Sequence, residues 1–317
     1  MRLPLIVPVL LATLAWRCSG EARPSLEVLS VEVLRDVPSG SALTVRGDSA
    51  YIVGDDATGI YHLALTGRGY RKLPLAGADI SEYRIPRERK PDYEASAVFP
   101  RGNDLYLVAF GSGSKAPMRD SVLVHPLSGS EAQQSFPAAP FYSGLREQLD
   151  IPPGSWNIEG AALLGEDLYL FNRGTNTIIR CNAAQVLGFV TGRTTSLPAV
   201  DGRRLSLLGI KGREARISGA SATGDGRIVF CASVEDTDDW TKDGPVLGSF
   251  IGIWDPRTGK LSSVRLLADA AGNPLVEKLE SVDVLKRAAD GQLELLAIGD
   301  NDDGTTRLLR LSYSAAD

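Results

Sequence analysis

Three glutamates of this chain stand in nearly the same local setting, in Glu94-Ala95-Ser96, Glu159-Gly160-Ala161 and Glu280-Ser281-Val282. Each carboxylate is followed by a small residue and a β-like run. Two positions earlier stand Asp92, Asn157 and Lys278, which strand periodicity turns to the same side as the glutamate. Convergent carboxylates suit two kinds of chemistry. They can hold a hard cation such as Ca²⁺ through oxygen ligands, or act as general acid and base when crowding drives their pKa values apart. Glu94, Glu159 and Glu280 are therefore the candidate catalytic groups. Asp56, Asp300 and Asp302 are the candidate metal ligands, with Ca²⁺ the expected ion, which would polarise a carbonyl or phosphoryl oxygen and activate water. Lys115, Arg119, Arg173 and Lys278 are the candidate cations for orienting an anionic substrate. Every one of these positions also has a structural use, since acidic and amide side chains cap turns.

What must position these groups is a repeat. Five openings can be aligned, Ser39-Gly40-Ser41, Glu94-Ala95-Ser96, Glu159-Gly160-Ala161, Ser218-Gly219-Ala220 and Glu280-Ser281-Val282, spaced by about 60 residues. After each comes a turn and a second β-rich run, at 50–53, 105–110, 168–171, 227–231 and 293–298. A polar loop and a third strand follow, with fourth strands clearest at 70–75 and 261–267. Units of four short strands imply an all-β chain folded as a single β-propeller. Five four-stranded blades fit the count, or six if a degenerate blade hides in a long connection. Small residues after each opening suit an innermost strand, where blades crowd the axis. The last unit lacks a fourth strand, and the alternating run at 26–37 could supply it and close the ring. Two separate β-sandwiches fit less well, because they give the recurring opening no reason. Strands in a blade alternate direction, so the start of the first and the end of the second share a face. That predicts a rim of carboxylates, amides and cations, with Asp55-Asp56, 112–115, Asn172-Arg173, 233–236 and 300–303 beside the glutamates.

Two segments interrupt the pattern. Residues 137–153 carry a short helix around 144–149, and 235–248 form an acidic insertion that reads as a solvated loop. Other motifs fail on inspection. In 300–304 the glycine comes one residue early for a calcium loop and no glutamate follows at the needed distance. The glycine-serine run at 111–115 lacks the length and the helix of a phosphate loop. Trp156, Trp240 and Trp254 read as packing residues.

The composition excludes several classes. A net charge of −5 without a basic stripe argues against nucleic acid as a partner. The two histidines, His62 and His125, are far apart and follow no metal-ligand spacing, which leaves a histidine-built zinc site or a Ser-His-Asp hydrolase unsupported. Residues 1–25 read as an export leader: Arg2, an apolar run to Ala15, then polar residues. That run holds Pro4 and Pro8 and is short for a membrane span, so cleavage is expected rather than anchoring. Cys18 could accept lipid, although Arg17 stands where a small residue would be usual. Residues 26–317 are then one propeller domain without a transmembrane span, periplasmic or extracellular or lipid-tethered to the envelope. Cys181 and Cys231 read as small buried side chains rather than a disulfide.

The combination of Asp92-Tyr93-Glu94-Ala95, Asn157-Ile158-Glu159-Gly160, Lys278-Leu279-Glu280-Ser281 and Gly299-Asp300-Asn301-Asp302 resembles the phytase-like propeller family described as having esterase-like activity. The likeness runs from about Ser39 onward through short motifs. It implies a secreted or envelope propeller with phosphoesterase or esterase activity. Ala95 and Ser281 stand where glycine would be usual, and Ser218 replaces the glutamate of the fourth unit. The expected function is metal-assisted hydrolysis of a small phosphate or carboxylic ester. The alternative is a non-catalytic propeller that binds a ligand, a polymer or an envelope protein. A lactonase-like enzyme is a weaker third reading, lacking a convincing histidine.

Overall fold

The computed structural model describes residues 25–67, 69–79, 81–128, 131–237, 244–269, 272–300 and 304–314. Five antiparallel sheets of four strands each form the blades of a propeller, so the six-blade alternative falls away. Blade 1 comprises Gly40–Arg46, Ser49–Gly54, Gly59–Ala64 and Tyr70–Pro74. Blade 2 comprises Tyr93–Arg101, Asp104–Gly111, Ser121–Pro126 and Gln134–Pro137. Blade 3 runs through Ile158–Leu164, Asp167–Asn172, Thr177–Asn182 and Val200–Arg204, and blade 4 through Arg216–Ala222, Ile228–Glu235, Val246–Asp255 and Lys260–Leu266. Blade 5 takes Leu279–Arg287, Leu293–Asp300 and Thr306–Ser314 from the end of the chain, and its outer strand, Ser25–Leu34, from the beginning. The ring is thus closed as the 26–37 run predicts.

The core lies in the wedges between neighbouring blades. Leu107, Val108, Ala109 and Phe110 on the second strand of blade 2 are all fully buried, because that strand is covered on both faces. Val108 and Phe110 pack towards blade 3 with Ile158 and Leu170, while Leu107 and Ala109 pack towards blade 1 with Val53 and Ile60. Such strands read as continuous apolar runs rather than alternation. Two α-helices occur among the described residues, Ala139–Leu149 and Ala183–Val190. The first extends further than the expected 144–149, with Pro140 in its first turn and Asp150 closing it in a left-handed conformation. The second was not anticipated; Asn182 caps it by accepting a hydrogen bond from the Gln185 N–H at 3.1 Å. No helix among the described residues is long and apolar enough to cross a membrane. Cys181 and Cys231 are free and buried, and burial pushes both thiols up to about 12. Cys18 and Trp240 lie outside the described residues.

Every innermost strand carries a β-bulge at the same place. Pairing with the second strand slips between Gly40 and Ala42, Tyr93 and Ala95, Ile158 and Gly160, Ile217 and Gly219, and Leu279 and Ser281. The extra residues are Ser41, Glu94, Glu159, Ser218 and Glu280. The equivalent of the glutamates in blade 1 is therefore Ser41, two positions beyond the Ser39 that sequence alignment selects. A bulged residue leaves the ladder and its side chain is re-aimed. The small residue that follows lets adjacent inner strands meet: a Cβ on Gly219 would lie 2.5 Å from the Ser281 Cα of blade 5.

Each opening is also tied to the preceding blade. The Gly40 N–H donates to Thr306 Oγ1 at 2.9 Å, and that hydroxyl donates to the Val37 carbonyl at 2.8 Å. The Ile217 N–H donates to Asn176 Oδ1 at 3.1 Å, and the Leu279 N–H to Ser249 Oγ at 3.1 Å. Backbone does the same elsewhere, from Asp92 N–H to the Asp55 carbonyl and from Ile158 N–H to the Ser112 carbonyl. Thr306 is fully buried, so a Thr306→Val variant keeps the shape and strands a donor and an acceptor at the seam of blades 5 and 1. We expect a loss on the order of 2 kcal/mol, read as a lower urea midpoint with an unchanged slope. An unchanged midpoint would show that the seam does not depend on this hydroxyl.

Candidate functional site

Four of the five bulged residues, Ser41, Glu94, Glu159 and Glu280, meet residues from the ends of second strands at one face of the ring, around a cavity of about 540 Å³. Glu94, Glu159, Glu280, Lys115, Arg119, Arg173, Lys278, Asp56 and Asp300 all line it. Asp302 lies outside the described residues. The structure adds Asp55, Asp92, Asn157 and Glu235, which the loops already suggested, and Ser41, Arg84, Arg87, Lys90 and Trp156, which they did not. Arg84, Arg87 and Lys90 come from the connection between blades 1 and 2. The run Lys90-Pro91-Asp92, which ends two positions before a candidate glutamate, was the available signal for Lys90. Trp156 is fully buried and packs against Tyr142, and its indole N–H has no hydrogen-bond partner. Ser218 does not reach the cavity: its hydroxyl donates to the Leu279 carbonyl.

Charge is paired in two groups. On the side of blades 1 and 2, the Lys90 ammonium lies 2.7 Å from Asp92 Oδ1 and also contacts Asp55. Asp92 Oδ2 takes Arg119 Nη1 at 2.9 Å and the Ser112 hydroxyl. Asp56 holds Arg84 Nε at 2.6 Å. On the side of blades 3 to 5, Arg173 Nη1 lies 3.4 Å from Glu159 Oε2 while Nη2 engages Glu235. Lys278 stands 3.3 Å from Glu280 and 3.8 Å from Glu235. Asn157 orients Glu159 by donating to Oε1 at 2.6 Å. Residues two positions before the glutamates thus do face them, as the strand period requires. Glu94 is the exception in both groups. It makes no hydrogen bond or ion pair among the described residues.

These surroundings set the proton affinities. Burial raises Glu94 well above the ordinary carboxylate range, and the charges of Asp92, Glu159 and Asp55 push further the same way against the pull of Lys90. Burial pushes Glu159 up to about 7, with Arg173 opposing and Glu280 reinforcing. Asp55 rises to about 6, again chiefly by burial, against Lys90. Burial works against the charge of Lys90, but Asp92, Asp55 and Glu94 more than offset it, and Lys90 is held protonated. The site therefore sets a carboxyl raised by burial and by its acidic neighbours, Glu94, beside a carboxyl poised between its two states near neutral pH, Glu159.

A divalent cation fits these residues poorly. The closest set of oxygen donors is Asp55, Asp92 and Glu94, whose ligand atoms lie within 4.8 Å of one another. Their chemistry suits a hard ion, but the Lys90 ammonium already sits among them, and Asp56 is engaged by Arg84. An ion would have to displace Lys90.

Fold and site together define a five-bladed β-propeller with a charged, polar mouth at one end of its axis. The chain belongs to a family of unknown function (DUF6929), whose profile matches residues 36–312. No curated protein matches it. Among solved structures it is similar to glutaminyl cyclase from Myxococcus xanthus, at 11% identity over 93% of this chain and 98% of that one, with a TM-score of 0.53. A PQQ-bound aldose sugar dehydrogenase from Streptomyces coelicolor is similar at 12% identity over 92% of this chain and 99% of that one, with a TM-score of 0.42. At such identities the likeness shows the fold alone. The phytase-like resemblance is met at the level of the propeller; the family shown is a different one.

The raised carboxyls make stability pH-dependent. Each contributes stability that is fully present below its ordinary pKa, 4.5 for a glutamate, and is lost as pH rises through its folded value, about 7 for Glu159. Glu94→Gln removes the carboxyl with no partner to lose. We expect its melting temperature to exceed that of the unsubstituted protein at pH 8, with the gap closing by pH 4.5. Parallel melting curves across that range would refute the buried acid.

Proposed function

We propose that the protein is a hydrolase of small anionic esters, phosphate or carboxylic, working at the central mouth through its own carboxyls. The observation that carries this reading is the placement of Glu94 and Glu159 at the same bulge of adjacent blades, one without an ion-pair partner and the other held beside Arg173. A protonated Glu94 can give its proton to the departing alcohol oxygen. Glu159 can take a proton from the attacking water, so that the P–O or acyl C–O bond breaks as the new bond to water oxygen forms. The proton then returns from Glu159 to Glu94 through solvent. Arg173, Lys278 and Arg119 are fixed by carboxylates and offer directed N–H donors to the anionic group. At the rim, Arg87 and Lys115 are exposed and form no ion pair among the described residues, which suits electrostatic capture of an anion. Lys90 supplies the positive charge among Asp55, Asp92 and Glu94 that a metal would otherwise bring. An exported location, expected from residues 1–25, agrees with a soluble ester as substrate.

A binding propeller is the second reading, favoured by the pairing itself. Arg173 and Lys278 are each shared between two carboxylates, an arrangement that could recognise a polar ligand without turning it over.

Turnover of generic aryl phosphates and aryl esters separates the two. We expect Glu159→Gln to lower kcat by about 100-fold or more, and the Glu159→Gln, Glu280→Gln double variant to be at background. The rate should be bell-shaped in pH and unchanged by a chelator. Equal background rates in all proteins would favour the binder. A rise in melting temperature with Ca²⁺, lost in Asp55→Asn, would show that an ion does displace Lys90.

A further inference from the structure

The mouth does not end at Arg173 and Glu235. On their far side lies a second cavity of about 210 Å³, which shares both residues with the first and is also lined by Arg213, Arg216 and Ser233. A feature outside the propeller repeat builds it. Between blades 3 and 4 a small hairpin pairs Gly209–Ile210 with Arg213–Glu214, turning through Lys211 and Gly212, both with positive φ. The hairpin brings Arg213 to the cavity.

Blade 4 supplies the other half. Arg216 occupies the position two before the bulge, where blades 2, 3 and 5 carry Asp92, Asn157 and Lys278. Those residues face a glutamate, but blade 4 has Ser218, whose hydroxyl is turned to the Leu279 carbonyl. The carboxylate that would fill this sector is absent. Among the described lining residues three arginines, Arg173, Arg213 and Arg216, stand with two acids, Glu214 and Glu235.

The guanidiniums are held in place. Arg216 Nη1 donates to the Gly174 carbonyl at 3.3 Å, with Nη2 3.7 Å from Glu214. Arg213 Nε lies 3.0 Å from Asp236 at the exposed edge. Arg173 is buried and fixed between Glu159 and Glu235, and those two charges more than offset the cost of burial, keeping it protonated. Planar forks converging on a small cavity match the geometry of an oxyanion.

We propose that this side pocket binds a second anionic group, phosphate or carboxylate, of the ligand whose first group lies in the central mouth. The ligand is then a small molecule with two anionic groups, joined past the Arg173–Glu235 pair. The bridging half rests on the mouth being a ligand site; the anion pocket itself does not.

The test is titration calorimetry on the full chain at constant ionic strength, with inorganic phosphate and acetate as probes. Arg213→Ala/Arg216→Ala should weaken phosphate binding about tenfold or more, while Lys260→Ala, exposed on the outer strand of blade 4 and outside both cavities, should change it by no more than about twofold. Tighter binding of phosphate or of acetate tells which oxyanion the pocket prefers. Equal affinity in the unsubstituted protein and the double alanine variant would overturn the proposal, as would no binding of either anion. Should the alanine pair fail to fold, Arg213→Lys/Arg216→Lys keeps the charge and loses the fork, and undiminished binding there overturns it equally. Phosphate bound through these arginines in a protein that hydrolyses no ester leaves the pocket standing and removes the hydrolase reading.

Discussion

The site depends on how each innermost strand begins. Its first backbone N–H is satisfied by the blade before it, through Thr306, Asn176 and Ser249 or through backbone carbonyls. A buried N–H left unpaired would cost roughly 1–3 kcal/mol, so these bonds fix where the strand enters the ring. The next residue is the bulge in four blades, and in blade 2 the bulge lies two residues beyond the anchored Asp92. The residue after it is small, and at Gly160 and Gly219 the neighbouring inner strand leaves no room for more. Anchored on one side and confined on the other, the bulged residue is aimed along the channel. Glu94, Glu159 and Glu280 converge for that reason.

Much of this was legible in the chain. The recurrence of a glutamate before Ala95, Gly160 and Ser281 exposed both the repeat and the candidate ring, and the period of a strand placed Asp92, Asn157 and Lys278 beside them. The run at 26–37 announced the closing strand by its alternation. What stayed hidden follows from physics that no local pattern encodes. Ser41 was missed in favour of Ser39 because each is a serine followed by a small residue, Gly40 or Ala42, and only the slip in strand pairing tells them apart. Arg84, Arg87 and Lys90 lie in an irregular connection, and only the tertiary fold brings it over the mouth. The helix at Ala183–Val190 is short and apolar, and its sequence is equally that of a buried strand.

The expected calcium site shows the same limit. Sequence displays Asp56, Asp300 and Asp302 as acids in loops, but not which of them are already engaged. In the fold Asp56 answers Arg84, and the nest that would suit a hard ion is built by Asp55, Asp92 and Glu94 around an ammonium of the chain itself. An intramolecular cation is present at fixed position whatever the solution contains. It lets three carboxylates share a small volume without a metal, but only incompletely. Glu94 is the one that gains no bond among the described residues, and burial with the charges of Asp92, Glu159 and Asp55 raises its proton affinity against the pull of Lys90.

Blade symmetry is broken in the same economical way around the ring. Five equal glutamates facing one channel could not all ionise, since like charges at close range raise one another's pKa values. Blade 1 answers with Ser41 and blade 4 with Ser218, which divides the acids into blades 2, 3 and 5. Asn157 and Lys278 then give Glu159 and Glu280 different neighbours, a neutral donor and a cation. Glu94 faces Asp92, whose charge is already spent on Lys90 and Arg119. Three carboxyls in equivalent backbone positions thereby acquire different partners. A repeat that copies geometry from blade to blade can host a site only where the side chains around that geometry differ, and here the differences lie in the residues two positions before each bulge.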